Sequence, residues 1–191
     1  NVTSIKFFTN AVSSTTKGMD FVASYSGLEI GPGSLDLSVS YNSNTTELGD
    51  KITTPTPISS SGADIFDRKE QSRLISARPS SKLILGLDYS MGKLSVGLNN
   101  TQFGEVTWQH ASDASMDQTF SSKLVTDLNL NYQVSDNLSV NFALNNLLNV
   151  YPDVIDTKGD FVTDLGGRFK YPWEVNQFGF MGTNFMGTIS Y

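Results

Sequence analysis

The stretch Asn137-Leu-Ser-Val-Asn-Phe-Ala-Leu-Asn145 decides the fold class of this chain. Its large apolar residues all fall on even positions: Leu138, Val140, Phe142 and Leu144. The positions between them are occupied by Asn, Ser and Ala. Because successive side chains of a β-strand point to opposite faces, this pattern predicts a strand with one apolar face and one polar face.

The same alternation recurs along almost the whole chain and predicts an all-β fold. We expect an antiparallel up-and-down meander of about seven or eight long strands, the higher count applying if the first strand breaks near 13–16. Several of these strands exceed the usual length of about five to six residues and approach the roughly 9–11 residues that cross a bilayer at a tilt. The predicted strands are 4–27, 34–43, 80–90, 93–109, 119–133, 137–150 and 178–191.

The predicted connections alternate between short and long. This regular sorting is typical of an up-and-down membrane barrel, which keeps tight turns on the periplasmic side and longer loops outside. A Greek-key sandwich has no reason to produce it. One helix-like segment, 64–74, lies inside the longest connection. The short links are 28–33, 91–92 and 134–136, and the long ones are 44–79, 110–118 and 151–177.

Tyrosines mark the strand ends beside the short links. Rings with a polar tip are favoured at membrane–water interfaces, so these residues are candidates for an aromatic girdle. The alternative explanation for these tyrosines is that tyrosine is common in β-sheets generally. The predicted membrane-interface residues are Tyr25, Tyr89, Tyr132 and Tyr191. A second group of rings is expected toward the opposite rim: Tyr41, Phe103, Trp108 and Phe120.

Composition excludes several classes of function. The chain has 191 residues, a net charge of −6, one histidine and no cysteine. Disulfides, thiol chemistry and cysteine-based metal sites are therefore excluded, and no cofactor, metal site or catalytic residue is predicted. The lone His110 is expected to be a solvated loop residue. Because the acidic chain has no run of cations, nucleic acid is not an expected partner. We expect a protein that is not an enzyme.

The connection 151–177 carries the candidate ligand contacts. Its segment Arg168-Phe-Lys-Tyr-Pro-Trp-Glu174 places two cations and three rings together. Such residues bind ligands by stacking and by charge-assisted hydrogen bonds. We therefore predict Arg168, Tyr171 and Trp173 as ligand-binding residues. The alternative is a loop that simply packs on its neighbours.

Four segments resemble one family of membrane receptors. Phe142-Ala-Leu-Asn-Asn-Leu-Leu-Asn-Val-Tyr-Pro-Asp153 is similar to an element near the carboxyl end of TonB-dependent outer-membrane receptors. Asp20 stands where that family usually has Glu, and Tyr191 where it usually ends on Phe. The other similar pieces, in the family's order, are Phe8–Asn10 with Thr16–Asp20, Pro79–Lys82 with Leu87–Tyr89, and Thr101–Glu105.

The resemblance implies a location and a role. Such receptors resemble barrels of about 22 strands with a plugged lumen. Residues 1–191 would then be the carboxyl-terminal portion of a barrel domain in the bacterial outer membrane, with the plug and its TonB box outside this chain. The implied partners are outer-membrane lipid, the remaining barrel and plug portions, TonB through the plug, and a small nutrient of the siderophore, vitamin or oligosaccharide class.

Two other functions stay open at this point. A complete eight-stranded outer-membrane barrel with an adhesive or structural role would pair its first strand with its last. A soluble β-sandwich ligand-binding module would bury its apolar face between two sheets.

Overall fold

The chain folds mainly into one antiparallel sheet. The structure, a computed structural model, describes residues 10, 12–51, 53–60, 62, 64–156 and 169–191. Seven strands follow one another as a meander. These are β1 (Val12–Ile30), β2 (Gly33–Lys51), β3 (Ser81–Met91), β4 (Leu94–Phe103), β7 (Lys123–Ser135), β8 (Leu138–Asn145) and β9 (Asn184–Ser190).

Shorter elements lie in the long connections. Two helices, α1 (Thr56–Ser59) and α2 (Arg68–Ile75), lie between β2 and β3. A small hairpin of β5 (Val106–Trp108) and β6 (Gln118–Phe120) lies between β4 and β7. In the described part of the chain, no helix is both long and apolar enough to cross a membrane.

The predicted all-β meander is confirmed, but several boundaries differ. β1 continues as one strand through 13–16, with a register shift between Val12 and Ser14. β2 continues to Lys51 because it pairs with β1 over this length. The predicted strand 93–109 ends at Phe103, since Val106–Trp108 pairs with 118–120 instead of with the sheet. The predicted strand 119–133 divides for the same reason.

Two further boundaries follow from local chemistry. The predicted strand 137–150 ends at Asn145. Asn146 adopts a left-handed backbone conformation with φ of 53°, which is incompatible with an extended strand. Helix α2 confirms the helix-like segment and begins where the carboxylate of Asp67 accepts a hydrogen bond of 3.0 Å from the Glu70 N–H.

The register gives the sheet one apolar and one polar face. Residues directly opposite each other in antiparallel strands share a face. Phe142 is the cross-strand partner of Leu130 on β7 and of Gly187 on β9, whereas its neighbour Asn141 is the partner of Asn131. The alternation read in 137–145 therefore extends sideways across the neighbouring strands.

Short and long connections lie at opposite ends of the sheet, as predicted. The three tight links are the dipeptides Gly31-Pro32, Gly92-Lys93 and Asp136-Asn137. Gly31 and Gly92 have φ of 59° and 56°, values that glycine adopts without steric cost at the first position of such a turn. The helices and the small hairpin are gathered at the other end.

The two edges of the sheet do not meet. β1 and β9 lie at opposite ends of the strand order, and the described residues form no ladder between them. The small closed barrel required such pairing, so that alternative is wrong for the described strands. The sandwich alternative required a second large sheet, and the only other sheet in the described part of the chain has two strands.

A bulge keeps two apolar side chains of β1 on one face. The register shifts between Tyr25 and Leu28, where Gly27 has φ of 78°. The Gly27 N–H donates a hydrogen bond of 2.8 Å to Asp36 Oδ1 on β2. With one extra residue accommodated, Tyr25 and Leu28 face Leu37 and Leu35.

Candidate functional site

The long connections pack into a cluster of their own at one end of the sheet. Helix α2, the β5–β6 hairpin and the segments 151–156 and 169–178 contribute to it. We call this unit the loop cluster. Its buried apolar residues are Ala77, Val106, Trp108, Phe120, Ile155 and Val175. A packed core of this kind holds the loops against one another in a defined arrangement.

Glu174 joins three parts of the loop cluster. Its side chain is only 4% exposed. One carboxylate oxygen accepts a hydrogen bond of 2.7 Å from the indole N–H of Trp108. The other accepts from the guanidinium of Arg73 and lies 3.9 Å from the Lys69 ammonium. A buried carboxylate is tolerated because these donors satisfy it.

Arg73 lies between two acidic partners. It also pairs with Glu70 one turn earlier on α2. Partial burial works against the Arg73 charge, but the hydrogen bonds to Glu70 and Glu174 outweigh it and raise the pKa of the guanidinium. Two carboxylates thus neutralise this cation.

A cavity of about 310 Å³ opens beside Glu174. We call it the Trp173 cavity; its lining residues are Arg73, Ala77, Arg78, Trp173 and Glu174. Trp173 is 50% exposed. The exposed Arg78 donates one hydrogen bond of 3.0 Å to the Ala77 carbonyl oxygen. Among the residues that the structure describes, no carboxylate forms an ion pair with Arg78.

A larger groove of about 410 Å³ lies mostly on the apolar face of β1–β4. Aliphatic side chains such as Leu37, Val39, Leu85 and Leu87 line much of it. No charged group among its lining residues could orient a polar ligand. We therefore place the candidate site in the loop cluster.

The structure gives Tyr171 and Trp173 different surroundings. Tyr171 stacks between Tyr151 and Phe180, at centroid distances of 5.6 and 6.0 Å, with Lys170 Nζ 5.2 Å from its ring centroid. Trp173 instead lines the same cavity as Arg78. Arg168 lies outside the described residues. The geometry thus places Tyr171 in a ring stack and only Trp173 against an open cavity.

Sequence reasoning missed the cationic side of this cavity. Arg73 and Arg78 belong to the connection 52–80, about a hundred residues before Trp173. The available signal was the pair of arginines that flanks the apolar end of α2. The sequence does not show which distant segment these two arginines contact.

A second polar group fixes the β5–β6 hairpin against α2. Arg68 donates a hydrogen bond of 2.6 Å to Asp117 Oδ2 and one of 3.0 Å to the His110 carbonyl. The hydrogen bond to Asp117 is the main cause that raises the pKa of Arg68. The His110 ring, expected to be a solvated loop residue, is partly exposed, and its Nδ1 accepts the Asp113 N–H at 3.0 Å. His110 therefore closes a turn.

The tyrosines near the short links share the apolar face. Tyr89 faces Leu35 and Val96, and Tyr132 faces Leu94 and Val140. The Tyr89 hydroxyl donates a hydrogen bond of 3.1 Å to the Ile30 carbonyl at the end of β1.

The other two tyrosines are largely exposed. Tyr25 lies deeper along its strand, facing Leu37, and is 59% exposed. Tyr191 directly follows β9 and is fully exposed.

The four rings expected at the opposite rim do not form one group in the structure. Trp108 and Phe120 are 1% and 2% exposed in the core of the loop cluster, so they are not interface residues. Phe103 lies on the polar face, where it stacks on Phe178 at 5.4 Å with Lys82 Nζ 5.2 Å from its centroid. Tyr41 remains on the apolar face opposite Phe21 and Leu83.

Comparisons with known proteins agree with this architecture. Residues 1–147 match the family described as TonB dependent receptor-like, beta-barrel. Comparison with curated proteins finds no match. Among solved structures, the chain is similar to the pyoverdine outer membrane receptor FpvA from Pseudomonas aeruginosa PAO1 bound to pyoverdine, with a TM-score of 0.55 and 15% identity. The match covers 94% of this chain and 22% of that receptor, so the chain spans about a fifth of its length.

Proposed function

This chain belongs to the family of TonB-dependent receptor β-barrels, and we propose that its receptor binds a scarce small nutrient outside the cell and admits it. The described residues supply seven strands of the barrel wall in the outer membrane. A wall segment of this family is part of a transport protein and not of an enzyme. The nutrient belongs to the siderophore, vitamin or oligosaccharide class.

One observation supports this proposal most strongly. A sheet with one apolar and one polar face has the described parts of its long connections at one end, and those parts form a packed cluster with exposed rings. An apolar band can face lipid while the polar side lines a lumen. A preformed cluster at one mouth of that lumen suits the first contact with a soluble ligand.

Each part of the receptor has its own role in this proposal. Residues 1–191 form the carboxyl-terminal portion of the barrel domain, and a plug outside this chain fills the lumen. TonB acts through that plug to release the bound nutrient inward. Arg168, Tyr171 and Trp173 contact the nutrient at the mouth of the barrel.

The tyrosines hold the wall in the membrane. Tyr25, Tyr89, Tyr132 and Tyr191 lie toward the periplasmic interface, where their rings enter lipid and their hydroxyls reach water. This assignment is supported by the apolar face that Tyr25, Tyr89 and Tyr132 share near the short links.

Uptake in whole cells tests the proposal. The full-length receptor is expressed in a strain that lacks it, with and without TonB, and offered radiolabelled ferric siderophores, cyanocobalamin and malto-oligosaccharides. We expect accumulation of one class that disappears without TonB. Accumulation of none, or equal accumulation without TonB, would contradict the proposed function.

A triple variant tests the loop residues in the same assay. Replacement of Arg168, Tyr171 and Trp173 by Ala should reduce uptake while surface display and resistance of the folded barrel to detergent stay unchanged. Phe169→Ala serves as the control, since Phe169 is 55% exposed and does not line the Trp173 cavity. Normal uptake by the triple variant would leave these residues with a packing role only.

A further inference from the structure

We propose that the Trp173 cavity is a capture subsite for an anionic ligand that carries a flat unsaturated ring. The anionic group binds Arg78, and the ring lies against the exposed indole of Trp173. This inference deepens the proposed function, since it assigns a chemical class to part of the ligand. A neutral oligosaccharide would lack the group that Arg78 selects.

Of the two arginines that line the cavity, Arg78 is the one whose charge is available to a ligand. Arg73 is already neutralised by Glu70 and Glu174. Arg78 donates to one backbone carbonyl, and its guanidinium has five N–H donors in a planar fork. Its remaining donors match a carboxylate or a similar oxyanion, which a guanidinium binds in a bidentate manner.

The two tryptophans of the chain differ in what they offer. Trp108 is 1% exposed and its N–H is committed to Glu174. Trp173, the neighbour of Glu174 in sequence, is 50% exposed and lines the cavity. A partly exposed indole in the same cavity as a cation favours a flat ring with a negative substituent, because stacking and ion pairing then act on one ligand.

Contacts of its own lining residues with the rest of the loop cluster preorganise the cavity. Glu174 holds Arg73 on α2 and Trp108 on β5, which fixes the residue that directly follows Trp173. Ala77 is 1% exposed and anchors the residue before Arg78 in the apolar core. Binding therefore requires little ordering of the loops, which favours affinity.

The size of the cavity limits the ligand portion that it can hold. A volume of about 310 Å³ lies at the lower end of the range for small-molecule pockets. It accommodates one or two fused rings with an anionic substituent. A larger ligand would place only such a group here.

Matched small probes test the subsite on the full-length receptor in detergent. The probes are 2-naphthoate, its neutral amide 2-naphthamide, and the non-planar anion cyclohexanecarboxylate, titrated by calorimetry or by saturation-transfer NMR. We expect 2-naphthoate to bind most tightly. Arg78→Gln should weaken it by about tenfold, the size of one charge-assisted hydrogen bond, and leave 2-naphthamide unchanged.

Control variants separate the subsite from general effects. Trp173→Leu should weaken 2-naphthoate more than cyclohexanecarboxylate. Lys51→Gln removes an exposed cation at the end of β2, and Phe169→Leu removes an exposed ring; neither residue lines the cavity, so neither should change binding. Equal binding of 2-naphthoate and 2-naphthamide, or an Arg78→Gln variant that binds 2-naphthoate as the wild type does, would overturn the proposal.

Failure of the subsite and failure of the proposed function are distinguishable. TonB-dependent uptake together with unchanged naphthoate binding by Arg78→Gln rejects the subsite and leaves the receptor function standing. Selective naphthoate binding in a receptor that takes up nothing with TonB supports the subsite and rejects the transport role.

Discussion

The indole N–H of Trp108 donates a hydrogen bond of 2.7 Å to Glu174 Oε2, across a separation of 66 residues in sequence. Trp108 is almost completely buried, so this donor has no access to water. The bond joins the β5–β6 hairpin to the last long connection. It is the contact around which the loop cluster and the Trp173 cavity are organised.

Removal of this acceptor should loosen the loop cluster without affecting the wall. In Glu174→Ala, the buried Trp108 N–H loses its partner, which costs about 1–3 kcal/mol in the free energy of local opening. Hydrogen–deuterium exchange of the full-length receptor should speed up in 68–75 and 169–178, while β7 and β8 keep their protection. Glu70→Ala is the control, because its partly exposed pair with Arg73 should contribute less than about 0.5 kcal/mol. Equal effects of the two variants would contradict the central role of Glu174.

A charge on the apolar face should destabilise the barrel. Phe142 faces Leu130 and Gly187, and its ring lies 6.0 Å from that of Phe185. Phe142→Arg should cost about 2–4 kcal/mol if the position lies near the middle of the bilayer. Equilibrium folding into lipid vesicles measures this difference, with Asn141→Arg on the polar face as the matched control. A barrel that tolerates Phe142→Arg better than Asn141→Arg would place lipid on the other face.

Asp153 should keep its charge to lower pH than an ordinary aspartate. Partial burial works against its charge, but hydrogen bonds from Lys123 and from the side chain and N–H of Ser121 outweigh it and lower the pKa of Asp153. Because the folded pKa is depressed, the stabilisation is fully present above the unfolded value of about 3.9 and is lost as the pH falls through the folded pKa.

Carbon-13 NMR of labelled aspartate can follow this titration in the full-length receptor. The Asp153 signal, identified by its absence in Asp153→Asn, should titrate below about pH 3.9. Asp153→Asn should also remove the acid-dependent part of the loosening of 151–156. A midpoint at or above the ordinary value would show that Lys123 and Ser121 do not stabilise the carboxylate.

The long connections should lie outside the cell and the short links in the periplasm. The prediction rests on the difference in length and on the tyrosines beside the short links. In whole cells, an antibody should reach an epitope tag inserted at Ser60 between β2 and β3, but not one inserted at Ser135 before the β7–β8 turn. Permeabilised cells provide the control for the second tag. Labelling at Ser135 alone in intact cells would reverse the orientation.

The sequence by itself determined the fold class, the two faces of the strands and the alternation of short and long connections. These features are local. A two-residue period, a glycine such as Gly31 at a tight turn, and the Asp67 cap of α2 each act within a few residues of the chain. Their physical effects are therefore readable without knowledge of distant contacts.

Only the tertiary structure decided how the connections meet. Val106 and Trp108 alternate as an ordinary strand would, yet they pair with 118–120 because Trp108 is buried against other loops. Arg78, Trp173 and Glu174 come together across about a hundred residues, and loop closure over such distances leaves no periodic trace in sequence. Their meeting depends on burial of a shared apolar core and on satisfaction of the Glu174 carboxylate, both of which are properties of the folded chain.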